Sequence, residues 1–133
     1  MCFVRRAAAR LGWRLITIDK LTIIQKTEDL ADEIYDAIMQ YPKYEKYALG
    51  TETKNSFNRF YRLLITAAKR YYKKTTLHDA DVELMILKHF LRMGFERRYT
   101  TIKRYERMSR YIEEIGRMLG GWIKATEQQN TKK

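Results

Sequence analysis

One cysteine, Cys2, and one proline, Pro42, occur in 133 residues, and each scarcity removes a class of protein. A single thiol permits neither an internal disulfide framework nor a cysteine-based metal cage. The six glycines are scattered rather than gathered as in turn-rich β proteins, so long helices are expected. No apolar run approaches the roughly 20 residues needed to span a bilayer. Residues 1–17 also lack the long apolar centre of a secretory signal. A cytoplasmic protein fits these absences. Histidine is equally sparse. His78 and His89 have no Glu three residues before them, which removes the Glu-x-x-His pairs of di-iron bundles. Eleven positions apart on a helix, they stand about 16 Å from one another, too far to share a metal. They read as a capping-region and an interface histidine. Nor is there a glycine-rich phosphate loop, an HExxH motif or a Cys/His nucleophile. The sequence therefore predicts a non-enzyme without cofactor, metal or small-molecule substrate.

What is present is positive charge, unevenly placed. The net charge is +11, with 45% hydrophobic and 32% charged residues, a globular balance. Residues 1–50 hold 8 basic and 7 acidic side chains, whereas residues 51–133 hold 19 and 9, a net of +10. Such asymmetry points to a polyanionic partner, nucleic acid by default, with acidic protein surfaces and anionic membranes as rivals.

Apolar spacing predicts four helices and no strand of useful length, hence an all-α antiparallel up-down-up-down four-helix bundle over residues 18–126. Residues 1–17 form a basic extension, helical or disordered, whose Arg5, Arg6, Arg10 and Arg14 would add phosphate contacts or simply be solvated. Residues 127–133 form a polar tail. The first helix opens at an Asp19 cap clasped by Ile18 and Ile23, carries a seam of Ile23, Thr27, Leu30, Ile34, Ala37 and Tyr41, and stops before Pro42. Tyr44 and Tyr47 are expected to pin the corner that follows.

The second helix, from about Thr51 to Tyr72, places Phe57, Phe60, Tyr61, Leu64, Ala68 and Tyr71 on one face and Arg59, Arg62, Lys69, Arg70 and Lys73 on the other. Seven Lys or Arg, Lys74 among them, occur between Glu52 and Asp79 with no acid. A solvated helix gains from opposite charges four residues apart, and this one forgoes them. Polyanion binding is one explanation and plain solubility the other.

A capping box at Thr76–Asp79 is expected to open the third helix. Its seam of Leu77, Ala80, Leu84, Leu87, Leu91 and Phe95 is backed by a second apolar stripe of Val82, Ile86, Phe90 and Met93. That stripe predicts a subunit interface, or a surface over which the N-terminal extension folds back. The fourth helix, about Thr100 to Thr126, is expected to bury Ile102, Tyr105, Met108, Ile112, Ile115, Leu119, Trp122 and Ile123. Arg97, Arg98, Lys103, Arg104, Arg107 and Arg110 crowd its start, interleaved with Tyr99, Tyr105 and Tyr111. Cations with aromatics suit phosphate contact and base stacking, although Tyr105 is better read as a core-edge residue. Gly116, Gly120 and Gly121 interrupt this helix, each costing about 1 kcal/mol relative to alanine. A tight helix crossing beside Trp122 is the plainer explanation, and a groove for another chain the alternative.

Three segments carry a resemblance: YPKYEKYALG (Tyr41–Gly50), LHDADVELMILKHFLR (Leu77–Arg92) and EIGRMLGGWIK (Glu114–Lys124). Together they resemble the accessory variability determinant (Avd) of diversity-generating retroelements. That group lies within the four-helix-bundle proteins that include those of 23S rRNA intervening sequences. IGRMLGGWIK is the most discriminating piece, and the proline-lysine turn is common to both groups. The likeness covers about residues 18–126. It implies a homopentameric basic barrel that associates with the retroelement's reverse transcriptase and binds RNA or DNA during mutagenic cDNA synthesis. Lys88, Arg92 and Arg117 are the basic positions carried by the matching motifs. An rRNA-insertion-type protein without a polymerase partner is the alternative, and a purely structural oligomer a third.

Overall fold

A computed structural model describes residues 18–131 of the chain, with side chains from Thr22 to Gln128. Within those limits the chain forms α1 (Ile18–Met39), the single-turn α2 (Lys43–Lys46), α3 (Leu49–Lys69), α4 (Lys74–Glu96) and α5 (Ile102–Thr131). No strand occurs among the described residues.

Paired side chains fix the topology. Lys54 of α3 lies over the Tyr35 ring of α1, and Tyr61 donates to Glu28 at 2.9 Å, so partners in α1 descend as those in α3 rise. The same inverse order joins α3 to α4 through Arg59–Glu83 and Arg70–Thr76. It joins α4 to α5 through Phe95–Tyr105 and His78–Glu127, and α1 to α5 through Lys26–Glu114 and Glu33–Arg107. Every neighbouring pair is antiparallel, and α5 closes the ring against α1. The expected four-helix bundle is what forms.

Its core is the set of apolar seams turned inward. Ile23, Thr27, Leu30, Ile34 and Ala37 of α1 and Tyr41 just beyond it are all buried, as are Leu77, Ala80, Leu84, Leu87 and Leu91 of α4. The α1 helix stops two residues before Tyr41, where i→i−3 bonds from Gln40 and Tyr41 tighten the final turn ahead of Pro42. The proposed cap at Asp19 and its staple through Ile18 fall outside the described side chains, and the extension 1–17 falls outside the described residues.

Several local expectations give way. The Tyr44 and Tyr47 rings are 71% and 78% exposed, so neither pins the corner. Tyr41 takes that role, buried against the Tyr99 ring at 5.3 Å. Thr76 does not cap α4. It lies inside the helix, buried, and accepts a 3.5 Å contact from Arg70, while the helix starts at Lys74 with Lys73 as cap. Ile102 is exposed rather than core, because α5 begins there, after Thr101 has capped it through a 3.3 Å bond to the Arg104 amide.

The glycines that matter sterically are also different ones. A Cβ on Gly94 would fall inside the van der Waals envelope of the Tyr41 hydroxyl and 3.0 Å from its Cζ. One on Gly50 would meet Ile38 Cγ2 at 2.9 Å. By contrast, Gly116 would make only ordinary contact with Leu84, and Gly120 and Gly121 meet nothing within 4 Å. Among the described residues, therefore, the expected tight crossing does not form at Gly116, Gly120 and Gly121; beside them Trp122 is half-buried.

The α4–α5 corner closes in a Schellman motif. Tyr99 N–H bonds to Gly94 O and Arg98 N–H to Phe95 O, both at 2.9 Å, which requires a left-handed residue between the helices. Arg98 fills that place at φ 65°, where glycine is usual.

Candidate nucleic-acid and partner interface

The antiparallel bundle sorts the predicted basic residues by position along its axis. Arg59, Arg62 and Lys69 recur at near-helical intervals on α3 and are all exposed. Arg70 has already left the helix with extended backbone, and Lys73 and Lys74 follow at the start of α4. These last four residues of the α3–α4 link sit at one pole of the bundle. Arg97, Arg98, Lys103 and Arg104 sit at the other, around the α4–α5 corner. With α3 about 32 Å long at 1.5 Å per residue, the two groups do not form one patch.

Between the poles, several cations are committed to carboxylates. Arg107 Nε lies 3.2 Å from Glu33, and Arg92 Nε donates to Glu96 one turn on at 2.8 Å. Arg59 approaches Glu83 at 3.8 Å, although Glu83 also accepts from Ser56 at 2.8 Å. Glu114 accepts from Lys26 at 2.6 Å. The Lys26 hydrogen bond and charge hold its carboxyl below the usual carboxylate range, with Arg110 and Arg117 adding to the effect. Lys88, Arg110 and Arg117 are exposed. Arg104 is half-buried, and its Nη1 is buried without a hydrogen bond among the described residues.

The three tyrosines interleaved with the α5 cations are used by the fold. Tyr105 stacks on Phe95 at 4.4 Å with the rings nearly parallel, Tyr99 packs on Tyr41, and Tyr111 lies against the core. Besides Tyr44 and Tyr47, the strongly exposed aromatics are Tyr71 and Tyr72, 75% and 83% exposed and in edge-to-face contact at 4.9 Å. Helical spacing assigns Tyr71 to the core face of α3, but the helix ends at Lys69 and the extended Arg70 turns the next residues outward. The signal that could have found them is the doublet itself, YY inside KRYYKK, with no apolar partner at helical spacing beyond it.

The second apolar stripe of α4 is exposed. Val82 is 59% accessible, and Ile86 and Met93 37% each, with Phe90 half-buried against the core. Met85, 55% exposed, widens it beyond the four residues expected from spacing. Glu83, one residue from Val82 and three from Ile86, meets Arg59, so the basic row of α3 borders the apolar row of α4.

His78 Nε2 lies 3.4 Å from Glu127 Oε1, within α4 rather than at its cap, and His89 is exposed on the same helix. Among the described residues no group of three metal-ligating side chains gathers, and no helix is long and apolar enough to cross a membrane.

Compared with known proteins, residues 21–126 match the family model described as bAvd-like. No curated protein matches the chain.

Proposed function

Because the chain belongs to the bAvd-like family, we propose that it is a non-catalytic accessory protein of a diversity-generating retroelement. In this role it grips the reverse transcriptase and its template RNA or cDNA through a basic surface displayed by an assembly of identical bundles. The family match across α1 to α5 carries the proposal. The match lies with the Avd-type group, which favours it over an rRNA-insertion-type bundle. Two features of the chain support it: the +10 net charge of residues 51–133 and the exposed stripe of Val82, Met85, Ile86 and Met93. Apolar area of that kind on one helix face suits burial against another copy, with Arg59 and Arg62 at its rim. The family resemblance points to a pentamer. Gly120 and Gly121, beside which a Cβ would meet nothing within 4 Å among the described residues, leave α5 open to close approach by a neighbour.

The purified chain is expected to bind RNA with log affinity falling linearly in log salt, by about 0.7–0.9 per phosphate neutralised. It is also expected to retain the reverse transcriptase encoded beside it. Reversing Arg59, Arg62, Lys69, Arg70 and Lys73 to Glu should abolish retention of RNA. Unchanged retention would assign the charge to solubility alone, and absence of binding to both RNA and polymerase at low salt would defeat the proposal.

A further inference from the structure

We infer that the α3–α4 link, Lys69–Lys74, is a stacking platform for single-stranded nucleic acid, with Tyr71 and Tyr72 meeting bases and the flanking cations meeting phosphates. This rests on the nucleic-acid role proposed above and assigns it a place and a strand type.

Four observations converge on the link. Tyr72 is the most exposed of the described tyrosines at 83%, Tyr71 is 75% exposed, and the two rings touch edge to face. Lys69, Arg70 and Lys74 are exposed on either side of them. Lys73 is held inward, its Nζ 5.9 Å above the Trp122 ring, which braces the link against the end of α5. Finally, no carboxylate lies between Glu52 and Asp79 along the chain, and Glu127, which α5 brings to this pole, meets His78. Along the link itself the phenol rings are therefore flanked by cations alone.

Chemistry narrows the partner. An exposed tyrosine pair flanked by cations offers ring area and positive charge together, and every nucleobase offers a π-face for stacking beside its phosphate. Duplex RNA hides those faces within its own stack, so rings of this kind engage unpaired nucleotides. Cations one to three residues away match the phosphates that accompany each base. Because stacking tolerates any base and lysine reads only charge, binding here is expected to be nearly sequence-independent.

The test uses the full-length chain with fluorescein-labelled oligo(U) and a labelled duplex RNA of equal phosphate count, followed by anisotropy across a salt series. Wild type should prefer oligo(U). Tyr71→Ala with Tyr72→Ala should weaken oligo(U) binding about tenfold or more while leaving the salt slope and the duplex affinity unchanged. Tyr71→Phe with Tyr72→Phe should bind as wild type. Lys69→Gln with Lys74→Gln should instead lower the slope by about 1.4–1.8, two phosphates' worth. Circular dichroism checks that each variant keeps its helices. If wild type binds RNA and the alanine pair binds oligo(U) equally well, or loses duplex affinity in parallel, the platform is refuted while the wider role stands. Loss of reverse transcriptase retention alone in the alanine pair would assign the tyrosines to a protein contact and refute it as well. Wild type that binds neither RNA overturns both.

Discussion

Replacing Gly94 by alanine should destabilise the bundle, although alanine is the better helix former. Two effects oppose each other. Alanine in place of glycine inside α4 contributes about 1 kcal/mol of propensity. Against it, the new methyl would collide with the Tyr41 hydroxyl and crowd Cζ at 3.0 Å. Overpacking of this kind costs about 1–3 kcal/mol. Tyr41 cannot simply swing away, because it is 3% exposed, and exposing a ring of roughly 150–250 Å² would forfeit about 4–6 kcal/mol at 25 cal/mol per Å². The ring therefore stays and strains, and the net loss should be up to about 2 kcal/mol. Gly121 provides the internal control: a Cβ there meets nothing within 4 Å, so Gly121→Ala should gain close to the full propensity term of about 1 kcal/mol. The two substitutions should thus differ by the overpacking term, about 1–3 kcal/mol, or roughly 4–12 °C in Tm for a chain of this size. Thermal and urea melts followed by circular dichroism, at one fixed protein concentration because assembly makes Tm concentration-dependent, measure the difference. Tyr41→Phe combined with Gly94→Ala removes the colliding oxygen and should recover part of the loss as a favourable coupling energy. Should Gly94→Ala prove as stable as Gly121→Ala, the Tyr41–Gly94 contact does not govern this corner.

Other perturbations separate the remaining claims. Ile86→Asp should lower the mass measured by light scattering while helicity persists, since Ile86 belongs to the exposed α4 stripe and not the core; an unchanged mass would remove the stripe as an interface. Burial, with the Glu28 hydrogen bond, pushes the Tyr61 phenol up to about 12 from 10.0. The raised folded value means its contribution is intact below pH 10 and lost between pH 10 and about 12. Tyr61→Phe should flatten that alkaline limb and remove one late-ionising phenol from an absorbance titration. Glu114 runs the other way. Its carboxyl is depressed from 4.5 by Lys26, so its contribution, no more than about 1 kcal/mol at so exposed a pair, is present above pH 4.5 and fades as pH falls through the lower folded value. Lys26→Met should erase that acid-side dependence in urea melts between about pH 5 and 3.

The long-range periodicities were legible without coordinates, because a seam such as Ile23–Tyr41 or Leu77–Leu91 has one inward face whatever it packs against. The exposed stripe of Val82, Ile86 and Met93 was legible for a related reason: four helices leave one side of each to solvent, so a second apolar side stands out. What stayed hidden depends on where helices end. Tyr71 fits the α3 spacing and leaves the core only because the helix stops at Lys69. Thr76 has the spacing of a capping residue, yet α4 starts at Lys74 and places it inside. Glycine was read by count, whereas its necessity depends on what lies opposite, and Tyr41 lies opposite Gly94 across the bundle. Lysines and arginines could be counted but not sorted. Their division between two poles, and the pairing of Arg107 with Glu33 or Lys26 with Glu114, needs residues more than seventy positions apart to be brought together.

Arg98 carries both a positive charge and a backbone conformation that side chains other than glycine resist. Swapping it for glycine or asparagine would relax the corner at the moment it discards a cation, so a neutralising variant there mixes two quantities of opposite sign. Lysine keeps the cation and the strain together, and comparing Arg98→Lys with Arg98→Gly isolates what the guanidinium itself does for a ligand. Charge scans along this chain should treat that one position separately from every helical arginine.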